Sequence, residues 1–490
     1  MRMNRIYAFN THYAIYDYRM GENKDLERQM TYHDYVAFKD YPKYAYDKDE
    51  QVLYIPRGFD SHYLEEWNKK PITIVDNNTN VVEVGFGMTQ TPININEEKA
   101  IRFLVGEGEF KDLRYKSQKV LIMPPGMGKT YSAVAAIQKL HMRSLIIMRT
   151  QNLKDQWLAR IKEYTTMGGP NIVQIESSYQ LLGYMKKPPS KNKKVFIVTR
   201  SLLMSYINRY GAKSLSDVIE RMGIGVKVFD EAHQEYARTL IIDYATNVRY
   251  TFYLTATFKL SNTGDDRVFQ RAFYGVPKLQ LKRDDSERHI IYLAVLFNSH
   301  PNAVDIARIT GGKRKFNRFA YIEYELNKGL LQEHFKSLIN FFLVDKKLHG
   351  KTLVLSSKKS TCDYFGELAD KETDGKFKTC AFYTGNKVEN YKGFDIISAT
   401  SQMLGTGEDI PGLRFMHNTE PFASLPNTDQ FSGRLRPYDH GTKPTYYIEY
   451  IDVGFDKLYQ WYLKRKKLLE TKAKECKELN YIIKDYNEYY

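Results

Sequence analysis

The chain has little cysteine. Cys362, Cys380 and Cys476 are the only three in 490 residues, and no Cys-x-x-Cys pair occurs. That excludes a zinc ribbon, an iron–sulfur cluster and a disulfide-stapled scaffold, and it points to a reducing compartment. No apolar run is long enough to cross a bilayer, so no membrane partner is expected. Met1 to Tyr18 mixes Arg, Asn, His and Asp with aromatics and has no apolar signal core. A soluble, cytoplasmic protein is the expectation. Low-complexity segments and short internal repeats are missing too. Acidic residues are in deficit, 58 Asp and Glu against 73 Lys and Arg, for a net charge of +15. That imbalance favours a polyanionic partner, nucleic acid foremost. The 39 tyrosines are read as a compositional bias shared with Lys, Asn and Ile, not as a base-stacking surface.

What is present is a globular chain. Hydrophobic residues make up 42% of it, enough for a substantial core. A chain of this length holds roughly three domains of ordinary size. Residues 1–90 read as a small α+β or β-rich accessory module. Within it, Gln51 to Gly58 has the pattern of a strand ending in a turn. Pro71 to Gly85 alternates around Asp76-Asn77-Asn78. From about Thr91 the texture changes to short apolar runs separated by helical stretches. The runs are Val120–Met123, Leu145–Met148, Val195–Val198, Val226–Phe229 and Phe252–Leu254. Gln151 to Tyr164 and Ser214 to Met222 are the clearest helices between them. Continuous apolar strands alternating with helices predict a parallel sheet covered on both faces. Val276 to Arg288 breaks the pattern and reads as a linker. Lys328 to Leu348 predicts one long helix. A second series follows with strands at Leu353–Leu355, Ala381–Tyr383, Ile396–Ala399, Phe415–His417 and Tyr446–Ile451. The stretch 455–490 is rich in Lys and Arg and reads as a basic helical tail.

The chemistry concentrates at Leu121 to Thr130, a strand running into Pro124-Pro125-Gly126-Met127-Gly128-Lys129-Thr130 and then a helix. Strand, glycine turn, Lys-Thr and helix make a phosphate-binding loop, although its fullest form has glycine where Met123 stands. Glycines let backbone N–H groups converge on an anion, and the helix presents its positive end. Pro125, Gly126, Met127, Gly128, Lys129 and Thr130 are the expected nucleotide contacts. Lys129 supplies charge for the outer phosphates, and the Thr130 hydroxyl is a Mg²⁺ ligand. Such a loop needs a metal-side carboxylate. Asp230-Glu231-Ala232-His233 follows the strand ending at Phe229, where a parallel sheet opens its binding crevice. Asp230 would hold Mg²⁺ through water, Glu231 would polarise the attacking water, and His233 would sense the γ-phosphate.

Gly-Lys-Thr followed by Asp-Glu-Ala-His resembles the signature of superfamily-2 helicases and translocases. Further segments resemble that family's motifs in the right order, over roughly Glu97 to Asp452. Leu145 to Thr150 with Gln156-Trp157 resembles a motif that touches the nucleic-acid backbone, and Val198-Thr199-Arg200 resembles the next. Thr255-Ala256-Thr257 resembles the coupling motif between ATP state and nucleic-acid grip. Leu353 to Ser357, Thr384-Gly385, Ala399-Thr400 and Gly405 to Pro411 resemble second-domain motifs. Gln430 to Arg436 resembles the motif that carries the arginine finger.

The resemblance implies two tandem RecA-like parallel-sheet domains, 91–285 and 286–454, after a DNA-binding accessory domain, with ATP and Mg²⁺ as cofactors. It places Arg149, Gln156, Thr199, Arg200, Ser356, Thr384, Gly385 and Thr400 at nucleic acid. It places Gly407 and Asp409 at the nucleotide and Gln430, Arg434 and Arg436 in the catalytic set. Arg434 is the finger candidate. The second arginine stands one residue early, at Arg436, because Pro437 takes its usual place; on a helix that is a rotation of about 100°. The family's adenine-reading glutamine has Glu97 near its place. Tyr54 to Gly58 and the domain order resemble UvsW-type phage recombination helicases and the XPB-like branch. An ATP-driven motor on DNA in recombination, repair or replication is implied, in a host's cytoplasm if phage-encoded. Its substrate would be branched DNA, or duplex with single-stranded regions, and replication or recombination proteins would be its partners. An RNA-directed enzyme of the same architecture and an ATP-gated clamp are the rival readings.

Overall fold

The computed structural model describes residues 4–480 apart from 35–37, 76–79, 125, 233–234, 257–263, 283–287, 312–315, 384, 386–387, 389–390, 402–409 and 440–441. The chain divides into two compact units, Met1–Lys282 and Arg283–Tyr490.

The first unit is built on a seven-stranded sheet. In spatial order its strands are Ile172–Gln174, Val195–Thr199, Ser144–Met148, Val226–Phe229, Tyr250–Thr255, Gln118–Ile122 and Lys278–Gln280. All adjacent pairs are parallel. The apolar runs explain this directly. Alternate residues leave a strand on opposite faces, so Val120 and Ile122 enter one core while Leu121 and Met123 enter the other. A run that is apolar at every position serves both. The expected helix Gln151–Tyr164 is present, and the one expected from Ser214 begins slightly earlier, at Ala212. Lys278–Gln280, inside the expected linker, pairs with Gln118–Ile122 as an edge strand.

The N-terminal region is a small α+β structure. Its five-stranded sheet runs Ala45–Asp47, Val52–Pro56, His12–Tyr16, Arg5–Ala8 and Thr73–Ile74, with helices Lys24–Gln29 and Ser61–Asn68. Asp76, Asn77 and Asn78 lie outside the described residues. This sheet shares one core with the parallel sheet: Ile15, Leu53 and Ile55 pack in the same cluster as Leu145, Phe229 and Phe273. Gly58, the last residue of the Tyr54 to Gly58 element, sits where any Cβ would lie 2.4 Å from the Ala272 carbonyl oxygen. Only glycine permits that approach.

Two lysines occupy strand positions inside the first unit. Lys119 donates to the Leu104 carbonyl at 2.7 Å, and burial lowers its pKa to about 8. Lys227 pairs with Asp243 at 2.6 Å and donates to Thr246 at 2.7 Å, with both charged side chains almost wholly enclosed. Gln118 bonds Asp243 at 3.3 Å and the Tyr253 hydroxyl at 2.7 Å, completing the network. Burial raises the Asp243 pKa. Lys227→Met should therefore cost about 3–5 kcal/mol, because it strands a buried carboxylate. The sign with pH follows. A carboxyl held above its unfolded pKa contributes stability at low pH and loses it as pH rises through the folded value. The deficit of the variant should grow in denaturant melts as pH rises above the ordinary carboxylate range. A pH-independent deficit would mean that Asp243 finds another partner.

The second unit carries its own seven-stranded sheet, in the order Thr379–Phe382, Ile396–Thr400, Lys351–Ser356, Leu413–Asn418, Thr445–Asp452, Ile290–Phe297 and Glu475–Asn480. It too is parallel throughout. The chain thus has the expected fold class: two tandem RecA-like domains with a small N-terminal α+β region. Three details differ from expectation. Ile290–Phe297, close behind the expected linker, is a full eight-residue strand. The long helix expected over Lys328 to Leu348 is instead Leu330–Ile339 followed by a π-helical turn, Asn340–Asp345. Gly329, in the left-handed region at φ 78°, separates it from the preceding helix Arg318–Lys328. The basic stretch from residue 455 is a helix, Asp456–Glu470, and then the strand Glu475–Asn480. An edge strand buries little more than one face, and here Leu479 supplies the buried apolar contact. Part of the basic cluster is spent internally, Arg465 on buried Glu449 at 3.1 Å and Lys466 on Glu478 at 2.7 Å.

Candidate nucleotide site

The strand Gln118–Ile122 delivers Met123 and Pro124 to the C-terminal edge of the first sheet. Gly126 and Gly128 then adopt φ 82° and 89°, a region that costs other residues strain. The helix Lys129–Leu140 starts immediately, and no side chain caps it. Its first-turn N–H groups have no intrahelical acceptor and lie ready for an anion. Met127 turns its side chain into the core, so only its backbone can serve a phosphate. Pro125 lies outside the described residues.

The second loop begins where Val226–Phe229 ends. Three backbone bonds fasten these loops to the sheet. Asp230 N–H donates to Ile147 O at 3.0 Å, Ala232 N–H to Leu254 O at 2.9 Å, and Met123 N–H to Thr255 O at 2.9 Å. Thr255 is fully buried at the strand end that ties both loops. Glu231 sits at φ 44°, an uncommon region for a side chain of its size, and such residues cluster at functional sites. That turn brings its carboxylate 3.1 Å from Lys129 Nζ. Asp230 accepts from the Glu231 N–H at 3.0 Å through Oδ1 and from the Trp157 indole N–H at 2.8 Å through Oδ2. Burial raises the Asp230 pKa, helped by the neighbouring Glu231 charge and opposed by Lys129.

Lys129, Asp230 and Glu231 are therefore brought together, and Thr130 follows Lys129 in the first turn of the helix. The donors of these four residues are all oxygen apart from the lysine, which suits a hard cation such as Mg²⁺ that keeps waters and binds through one carboxylate, a hydroxyl and substrate phosphates. Thr130 and Asp230 are the residues that fit it. No cluster of three or more His, Cys, Asp and Glu side chains that could hold a metal occurs among the described residues. His233 and Thr257 lie outside the described residues; Ala256 follows Thr255 at the sheet edge.

Several side chains have roles other than those expected. Arg200, expected at a polynucleotide backbone, is fully buried. Its guanidinium donates to the Asp230 carbonyl and, at 3.1 Å, to the Glu231 carbonyl, bracing the acidic turn from inside. Burial lowers its pKa to about 10. Thr199 caps the helix Arg200–Tyr210 by accepting from Leu202 N–H at 3.3 Å. Arg149 is exposed and Gln156 half-buried. Glu97, in the helix Ile95–Val105, is buried against the phosphate loop. A Cβ on Gly128 would lie 2.0 Å from Glu97 Oε1, so position 128 is closed to any side chain. Burial raises the Glu97 pKa, and its other oxygen accepts the Ile93 N–H at 2.9 Å.

In the second unit, Ser356 is fully buried with its hydroxyl 3.3 Å from that of Thr419, an interior position for an expected nucleic-acid contact. Thr400 ends the strand Ile396–Thr400, and Gly385 takes φ 97°. Thr384, Gly407 and Asp409 lie outside the described residues. Gln430 is in the helix Leu425–Ser432. Arg434 is buried in the turn beyond it, where its N–H donates to Phe431 O at 3.0 Å. Because that helix ends at Ser432, the 100° rotation argued from helical spacing does not apply to Arg436. Arg436 lies half-buried in a segment without regular secondary structure.

Two features of the site have weaker marks in the sequence. Trp157 stands beside Gln156 in a segment that resembles a backbone-contacting motif, but an indole on the buried side of a helix needs an acceptor for its N–H. Arg200 directly follows a buried strand, a place where a guanidinium must find carbonyls.

Residues 90–260 match the family model described as the res subunit of type III restriction enzymes. No curated protein matches the chain. Among solved structures, Saccharomyces cerevisiae Dbp5 bound to RNA and ADP BeF3 is 13% identical, with a TM-score of 0.51 over 82% of this chain and 92% of that one. The ATP-dependent type ISP restriction-modification enzyme LlaBIII, bound to DNA, is 14% identical, with a TM-score of 0.52 over 81% of this chain and 32% of that one. T4 UvsW aligns over 98% of this chain and 100% of its own at 13% identity, but its TM-score of 0.37 is too low to argue from. The likenesses to Dbp5 and LlaBIII show the fold. Among the described residues no helix is long and apolar enough to cross a membrane.

Proposed function

We propose that this chain is an ATP-driven motor on nucleic acid, a superfamily-2 helicase or translocase with DNA as its track. The observation that carries the reading is the Lys129–Glu231 pair, 3.1 Å apart and beside Asp230 at the open edge of a parallel sheet. A phosphate-binding lysine, a metal carboxylate and a water-activating carboxylate are the parts that phosphoryl transfer to water requires. Mg²⁺ would supply charge neutralisation between the outer phosphates. Lys129 and the first-turn N–H groups of its helix would hold those phosphates, Asp230 and Thr130 would orient the ion, and Glu231 would take the proton from water. The motif resemblance of Gln430 to Arg436 gives Arg434 the part of a transition-state charge donor. The net charge of +15 fits a polyanionic track, and contacts to its phosphates would be salt-sensitive and largely blind to sequence. The finer reading rests on the sequence motifs: a DEAH-motif enzyme of the UvsW-like or XPB-like kind, acting in recombination, repair or replication.

The test is ATP turnover by the full chain with Mg²⁺, alone and with single-stranded, duplex, forked and four-way DNA, and with RNA. DNA should stimulate turnover, more weakly as salt rises, with a branched form strongest. Stimulation by RNA above any DNA would move the track to RNA. Tight ATP-dependent binding without strand displacement would make the chain a clamp, and indifference to every polynucleotide would end the reading.

A further inference from the structure

Trp157 makes a contact that motif chemistry does not require. The side chain is 3% exposed and its ring packs in the core beneath the sheet. Its one polar atom, Nε1, points at Asp230 Oδ2 from 2.8 Å. An indole N–H can only donate, so this bond is made to a lone pair of the carboxylate. The other oxygen, Oδ1, is held by the Glu231 N–H at 3.0 Å. With a donor on each oxygen, the carboxylate plane is fixed.

The two braces of the acidic turn differ in kind. Arg200 grips the backbone carbonyls of Asp230 and Glu231. Trp157 grips the side chain of Asp230, and it comes from a different element, the helix Gln151–Tyr164. On that helix Gln156 is the adjacent residue and is half-buried, while Trp157 is enclosed. Neighbours on a helix point about 100° apart, so one turn presents an amide toward the surface and an indole toward the carboxylate. Exposed Arg149 stands just ahead of the same helix. A ligand that shifts or rotates this helix must move the indole. An error of about 1 Å at a reacting group can cost about a hundredfold in rate, so the shift need not be large.

We propose that Trp157 is a positioning residue through which a polynucleotide bound along the helix Gln151–Tyr164 sets the orientation of the Asp230 carboxylate. The inference rests on the motor reading given above and names the route by which the track reaches the nucleotide within the first unit.

Trp157→Phe keeps an aromatic ring and deletes only the donor. In the full chain, Mg²⁺ titrations of fluorescent-ATP binding should show the half-saturating metal concentration rising about tenfold, the usual cost of losing a partner that orients a metal ligand. Single-stranded DNA should lower that midpoint in the unaltered chain and leave it unmoved in the variant. A second measurement leaves Trp157 in place. With Trp67→Phe and Trp461→Phe it is the sole indole emitter, and its emission should change when single-stranded DNA is added without nucleotide. Unaltered metal midpoints and an unaltered DNA response in Trp157→Phe would overturn the proposal. If that variant fails to fold, emission that ignores DNA in the double variant would overturn it equally. A chain whose ATP turnover ignores every polynucleotide would instead remove the motor reading, and the metal midpoint would still decide whether the indole positions Asp230.

Discussion

Glu231→Gln should slow ATP hydrolysis by about 10²–10⁴-fold, the span expected for loss of a general base, while ATP binds as tightly or more tightly. The opposite signs follow from one contact. Glu231 lies 3.1 Å from Lys129 Nζ, with both side chains largely shielded from water. That carboxylate competes with incoming phosphates for the lysine. An amide of the same shape cannot take a proton from water, and it no longer neutralises Lys129. Turnover falls and the lysine is freed for ATP. A destabilised variant would lose both properties together, so the pair of measurements separates chemistry from folding. Single-turnover hydrolysis and equilibrium binding of a fluorescent ATP analogue read the two effects. Hydrolysis at the ordinary rate would place the water-activating group elsewhere.

Lys129→Ala should abolish measurable turnover, a loss of at least about 10²–10³-fold by comparison with other transition-state charge donors, and should weaken ATP binding as well. Two effects combine. The phosphates lose their cation, and Glu231 loses its counter-charge in a confined space beside the anion to be bound. The second effect can be isolated. Lys129→Ala with Glu231→Gln should bind ATP more tightly than Lys129→Ala alone, although neither hydrolyses it. Residues in direct contact are not additive, and the sign of the departure reports how they interact. Polynucleotide binding should survive in both variants. Equal ATP affinity in the single and double variants would show that the uncompensated Glu231 charge does not oppose ATP binding.

The parts legible in the sequence were those whose cause is local. Val226–Phe229 reads as a strand because every position is apolar and both faces are covered. The phosphate loop reads as one because glycine, lysine and threonine act within a few residues of each other. The acidic turn stands out because strand ends are where parallel sheets place ligands. Features set by distant partners were hidden. Trp157 and Asp230 are 73 residues apart in sequence, and nothing near either one announces the bond. Arg200 and Ser356 stand in segments that resemble backbone-contacting motifs, and only burial reveals that their side chains turn inward. Glu475–Asn480 is polar and lysine-bearing because its place at the sheet margin asks for little apolar surface, so it could not be told from a solvated helix.

That marginal strand also constrains the making of the protein. Ile291 of Ile290–Phe297 pairs with Glu475, which lies far ahead in the chain. Ribosomal synthesis at about 5–20 residues per second leaves the earlier strand waiting many seconds for this neighbour. During that interval its backbone amides and carbonyls are open to the wrong partner, the hazard of any uncovered sheet margin. A nascent chain halted before residue 475 would carry that same open margin permanently, and holding it unaggregated would fall to whatever chaperone meets it first.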